Sequence, residues 1–160
     1  MNNIIHSTTG LIHLISAIVA LILGTGVLIA HKGTAAHRRM GYGYAMSMLV
    51  LNGTAFGLYH LFKGFGPFHA AAIISLLTLL AGLTPFFFNY AGNRKMEQHI
   101  AWMYFSVIGL YAAFASELIV RIPGVPFSVM VGAATFLVMI IGIHQFRKRY
   151  EGWRRTAAKN

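Results

Sequence analysis

Apolar residues run along this chain in long blocks, not in the strict alternation of a strand or the single stripe of a water-soluble helix. Five blocks approach the roughly 20 residues a helix needs to cross a hydrocarbon core. They lie at residues 9–31, 41–62, 68–88, 99–121 and 127–146. Short polar or turn-rich connections separate them, so consecutive helices are expected to be antiparallel neighbours. Two connections are glycine- and proline-rich turns, Gly64-Phe65-Gly66-Pro67 and Ile122-Pro123-Gly124-Val125-Pro126. Gly53 and Gly57 form a small-xxx-small pair that lets the second helix approach a neighbour closely. The pattern predicts an all-α membrane protein: five transmembrane helices in one integral membrane domain over residues 1–160. Four form a core bundle, the fifth lies at the C-terminal end, and residues 147–160 are a basic tail.

Composition supports lipid as the solvent. Hydrophobic residues make up 57% of the chain and charged residues 10%, whereas a soluble domain carries about 25% charge. So few charges cannot coat a water-facing surface. The net charge of +10 suggests nucleic acid until its distribution is read. Six of the 13 Lys and Arg lie in the last 14 residues and most of the others in two short loops. That is charge facing anionic headgroups, and nucleic-acid binding is not expected.

The same distribution sets an expected orientation, because cytoplasmic loops of membrane proteins carry the excess of Lys and Arg. Lys32, Arg38 and Arg39 (first loop), Arg94 and Lys95 (third loop) and Arg147, Lys148, Arg149, Arg154, Arg155 and Lys159 (tail) all fall on one side. The other side holds only Lys63 and Arg121. The basic side is therefore expected in the cytoplasm and the N-terminus outside. Residues 1–9 have no Lys or Arg, unlike the n-region of a signal peptide, so the first block is expected to be a retained span.

Candidate chemistry is narrow. With no cysteine, thiolate metal sites, iron–sulfur clusters and c-type haem attachment are excluded. There is no Asp, and the only acids are Glu97, Glu117 and Glu151, against eight His. Ionisable residues within a membrane are costly and usually mark function. In the expected topology His13, His60, His69 and Glu117 lie at outer helix ends, and His31, His37, His99 and His144 at inner ones. His6 sits in the outer N-terminal segment; it and His144 read as interfacial anchors. His13 and His31 are 18 residues apart, as are His99 and Glu117. Eighteen residues is about five turns, or about 27 Å, so each pair shares one helix face. The polar groups therefore form two layers, one near each membrane face.

Two chemistries fit these layers. Bis-histidine b-type haem takes one imidazole from each of two facing helices. His13 with His69 would serve outside and His37 with His99 inside, with His31 an alternative to His37. Arg38, Arg39 and Lys95 would neutralise inner propionates; Lys63 and Arg121 lie near the outer pair. Alternatively, His13, His60, His69 and Glu117 would give three imidazoles and a carboxylate for zinc or copper. Glu117 has a competing partner in Arg121, four residues on, where the two can pair along a helix.

The stretch His37-Arg38-Arg39-Met40-Gly41-Tyr42-Gly43-Tyr44 resembles the His-Arg-x-x-Gly motif of a broad family of bacterial membrane proteins of undefined function. His99-Ile100-Ala101-Trp102-Met103 looks like the same family's second motif, with Ile100 where a basic residue is usual. The resemblance covers roughly residues 10–121 and implies a multi-pass protein of the bacterial inner membrane. A looser similarity is to the cytochromes b561, whose four core helices carry haem-ligand histidines alternating outer, inner, outer, inner. His13, His37, His69 and His99 fall in that order, which implies the pairs His13–His69 and His37–His99. The ascorbate-binding basic motifs of that family are not evident.

The expected function is transmembrane electron transfer on two b-type haems, between a quinone or small reductant and an acceptor. The alternatives are a divalent-metal protein with an outer His/Glu site, and a non-catalytic assembly factor or subunit. A homo-oligomer or a larger membrane complex is compatible with each.

Overall fold

The computed structural model describes residues 8–57, 66–88 and 93–157. Among them every regular element is an α-helix: α1 (Thr8–Ile29), α2 (Ala35–Ala55), α3 (Pro67–Phe87), α4 (Asn93–Ile119) and α5 (Phe127–Ala157). Four of the five, α1, α3, α4 and α5, are long and apolar enough to cross a membrane. Their surfaces agree: Ile18, Ile22, Ile74, Leu77, Phe136, Leu137 and Ile141 are exposed, an apolar coat that lipid accepts and water does not. The described part of α2 falls short. It begins in the basic loop with Arg38 and Arg39 and carries Asn52 and three glycines, while residues 58–62 of the expected second span lie outside the described residues.

The helix ends differ from the hydropathy blocks, for local reasons. α2 starts six residues before position 41 because Thr34 caps it, accepting from the His37 backbone N–H at 3.2 Å. α4 starts at Asn93, six residues before position 99. α5 continues without a break through most of the expected tail. Its 31 residues span about 46 Å, more than the hydrocarbon core of about 30 Å requires.

The chain divides into two compact units, Met1–Leu80 and Ala81–Asn160. In the first, α1 and α2 pack antiparallel through a five-residue connection. Lys32 closes α1 by donating to the Val27 and Leu28 carbonyls at 2.7 and 3.1 Å, and Gly33 turns the chain at φ 81°. In the second, α4 and α5 pack antiparallel around an aromatic seam in which Tyr104 and Phe105 meet Phe146, with Trp153 against Tyr104. Helix hydroxyls bond back to their own helix, as Ser16, Thr25, Ser47, Thr54 and Thr78 do. In lipid, where no water competes, this satisfies them without distorting the fold.

Candidate cofactor-binding histidines

His13 and His99 hold their ring protons in the same way. His13 Nδ1 lies 3.0 Å from Thr54 Oγ1, joining α1 to α2. The single hydroxyl proton of Thr54 points at its own helix, with Oγ1 2.8 Å from Val50 O and 3.0 Å from Leu51 O. Thr54 Oγ1 must therefore accept, and His13 Nδ1–H donates. His99 Nδ1 donates to the Gly82 carbonyl at 2.8 Å, joining α4 to the end of α3. In both neutral rings the lone pair is left on Nε2. An imidazole so anchored by an oxygen behind it is the usual form of a metal-ligating histidine.

Pro85, buried inside α3, shapes the His99 site. Its missing N–H leaves the Ala81 carbonyl without a helix donor, and Thr84 Oγ1 fills the gap at 2.8 Å. The next carbonyl along, that of Gly82, reaches His99. Phe86 packs edge-on to the His99 ring at 4.8 Å, and Lys95 Nζ sits 5.1 Å from the centre of the same Phe86 ring. A cation is therefore held one turn from His99. Met103, one turn beyond, presses its sulfur against Gly82, where an added Cβ would lie 2.7 Å from Sδ.

His69 is built the other way. It is buried in the first turn of α3, and Gly66 N–H donates to its Nδ1 at 3.1 Å. This is the reciprocal half of a capping box, with imidazole replacing the usual Glu or Gln. Because Nδ1 accepts, the proton of the neutral ring is on Nε2. Ligation through Nε2 would require the Gly66 bond to break and the proton to move. Phe56, from the end of α2, lies 6.3 Å from the His69 ring at 45°.

The remaining candidates are mostly engaged in helix ends. Thr34 Oγ1 donates to the His31 carbonyl at 2.9 Å while it caps His37, so both inner candidates are tied to one turn through their backbones. Arg38 donates to the Gly33 carbonyl at 3.0 Å, and Arg39 is exposed. Glu117 pairs with Arg121 at 3.4 Å, with Arg121 also bonded to the Glu117 carbonyl, as the four-residue spacing predicts. His144 is exposed. His6, His60 and Lys63 lie outside the described residues. Among the described residues, no three His or Glu side chains gather to hold a metal ion.

The partners that set the tautomers are absent from the sequence reading. Thr54 has no signature that separates it from other helix threonines. A backbone carbonyl has none at all, though Pro85 within an apolar block marks a place where carbonyls are freed. Thr34, three residues before His37, is a readable N-cap.

Residues 10–143 match the model of the family described as "Predicted membrane protein (DUF2306)". The chain belongs to that family. The match takes in His13, His37, His69 and His99, and the assignment agrees with the apolar helices. No curated protein and no solved structure is detectably similar to this family member.

Proposed function

We propose that this protein carries electrons within the bacterial inner membrane on b-type haem, with His13 an iron ligand of one haem and His99 of another. The observation that carries the reading is the shared orientation of these two imidazoles, each with Nδ1–H fixed by an oxygen on another helix and the lone pair on Nε2. Lys95, held beside His99 through Phe86, suits a propionate. The order of the histidines supports two haems with His69 and His37 as further ligands; His69 would first have to give up its bond to Gly66.

In this reading all five helices span, α2 with the help of the residues that follow it. The N-terminus is outside and the basic end of α5 in the cytoplasm, on the strength of the 11 basic residues on one side. Reporter fusions at the C-terminus test this: cytoplasmic activity is expected, and periplasmic activity reverses the topology.

The deciding experiment is a UV–visible spectrum of detergent-purified protein, oxidised and dithionite-reduced, with elemental analysis for iron, zinc and copper. A Soret band with a sharp reduced α-band is expected, lost or shifted in His99→Ala and His13→Ala. A colourless protein after haem-replete expression refutes the haem reading. Stoichiometric zinc would then move the site to the His/Glu set.

One observation favours a second reading. Imidazole or backbone bonds of His13, His37, His69 and His99 each hold a helix end or a helix pair together. A non-catalytic subunit or assembly factor needs no more than that. Co-purification with a larger partner and no bound cofactor would support it.

A further inference from the structure

Arg147, Lys148, Arg149, Arg154 and Arg155 lie on the end of α5. Because α5 is one unbroken helix there, turning about 100° per residue, these five are sorted by face. Phe146 and Trp153 pack on Tyr104 and mark the face turned to α4. Arg149 stands on the flank of that face, near enough to act on Tyr104. Arg154 is taken up by two carboxylates, Glu97 at 3.2 Å and Glu151 at 3.3 Å. The third acid of the chain, Glu117, pairs with Arg121. Arg147, Lys148 and Arg155 are left on the outer face, all exposed. Among the described residues no carboxylate pairs with them.

That face does not begin at Arg147. Followed back along α5, it continues through Ile140, Leu137 and Phe136, which are 48, 59 and 69% exposed. All six residues fall within a sector of about 120°. The face is apolar as far as Ile140 and basic from Arg147, about 10 Å further on. Helix side chains lean towards the N-terminus of their helix, so Arg155 reaches back towards Arg147 and Lys148. A phospholipid has the same order of properties, an acyl chain ending in a phosphate. An acidic protein surface would answer the cations but not the apolar run that continues them in the same line.

We propose that this face of α5 holds one anionic phospholipid. Its acyl chain lies along Phe136, Leu137 and Ile140, and its phosphate sits on Arg147 and Lys148, with Arg155 reaching back to the head group. Charge counting assigns the whole tail to head groups; the fold assigns the contact to three side chains and leaves out Arg149 and Arg154. The inference requires that α5 span the membrane, as its length and apolar character allow, and it is independent of the haem.

The test is native mass spectrometry of detergent-purified full-length protein, titrated with dioleoyl phosphatidylglycerol and with dioleoyl phosphatidylcholine. Melting curves are recorded for every variant. One phosphatidylglycerol is expected to bind at least fivefold more tightly than phosphatidylcholine. Arg147→Gln should weaken it about fivefold and Arg147→Gln with Lys148→Gln about twentyfold or more, at the worth of a basic side chain near an anionic surface. Arg149→Gln makes the same change in net charge on another face and should shift binding less than twofold. Arg147→Lys, which keeps the charge, should bind within twofold of wild type, separating lost charge from lost folding. Equal affinity for the two lipids overturns the proposal and leaves the basic residues to an acidic protein. Equal losses in Arg147→Gln and Arg149→Gln also overturn it, because net charge and not this face would then be at work. Lipid selectivity in a colourless protein removes the haem reading alone, and a normal Soret band without selectivity removes this inference alone.

Discussion

The α1–α2 pair and the α4–α5 pair are both antiparallel helix pairs closed over glycine, yet their glycines do different things. In the first unit, a Cβ added at Gly43 or Gly26 would lie 2.8 Å from Leu23 Cδ1 or Met40 Sδ, the movable ends of flexible side chains. In the second, a Cβ at Gly142 would lie 2.6, 3.1 and 3.4 Å from Cγ2, Cγ1 and Cβ of Ile108. A β-branched side chain in a helix has essentially one rotamer and cannot swing away. Gly142 also presents its carbonyl to the Tyr104 hydroxyl at 2.8 Å. The α1–α2 interface can yield at Gly26 and Gly43 and is pinned by a polar bond, His13 to Thr54. The α4–α5 interface is rigid and held by aromatic packing. Identical residue types in similar apolar helices thus carry unequal weight, and the deciding variable is the stiffness of the opposing side chain.

The largest effect is expected where the opposing surface cannot yield. Gly142→Val should destabilise the protein by about 2–3 kcal/mol through overpacking, seen as a lower melting temperature in detergent. A melting temperature equal to wild type would erase the distinction between the two pairs. Gly82→Ala comes next, because its Cβ would meet Met103 Sδ at 2.7 Å and the Met103 backbone N at 3.2 Å. A loss of about 1–2 kcal/mol is expected, together with weaker cofactor retention, since the Gly82 carbonyl holds His99.

Tyr104→Phe and Thr54→Val each remove one inter-helix hydrogen bond and should each cost about 1 kcal/mol. They sharpen the comparison in a second way. Thr54→Val releases the His13 ring and should lower haem affinity about 10- to 100-fold, whereas Tyr104→Phe should leave the visible spectrum unchanged. Gly43→Ala should fall between no change and a gain of about 1 kcal/mol from helix propensity. The smallest effect is expected for Arg154→Gln. The ion pair to Glu97 at 3.2 Å joins an exposed arginine to a partly exposed glutamate and is screened by salt, so the melting temperature should not move.

Much of the architecture is legible in the residues. Residues 9–31, 68–88, 99–121 and 127–146 each contain most of a helix able to span, because hydropathy reports directly on contact with lipid. The Glu117–Arg121 pair is likewise readable, since a four-residue separation on a helix is a distance in space. Helix ends are less so, because hydropathy reads where lipid is and not where the hydrogen-bond ladder stops. α2 and α4 each begin six residues early in polar sequence. α5 runs to Ala157 because no proline interrupts it and Phe146, Tyr150 and Trp153 recur on one face, with Phe146 and Trp153 packing on Tyr104.

The sequence by itself determined that this is a helical membrane protein, rich in histidine and without thiols or aspartate. Those properties follow from residue identity and short-range periodicity. Only the tertiary structure decided which histidine nitrogen carries the proton. His13, His69 and His99 look alike in the sequence, but their ring protons are set by oxygens and an N–H brought close by folding: Thr54 lies 41 residues from His13 and Gly82 17 from His99. The same is true of the stiffness opposite each glycine. A proton's position and a side chain's freedom depend on neighbours that the chain brings together only when it packs.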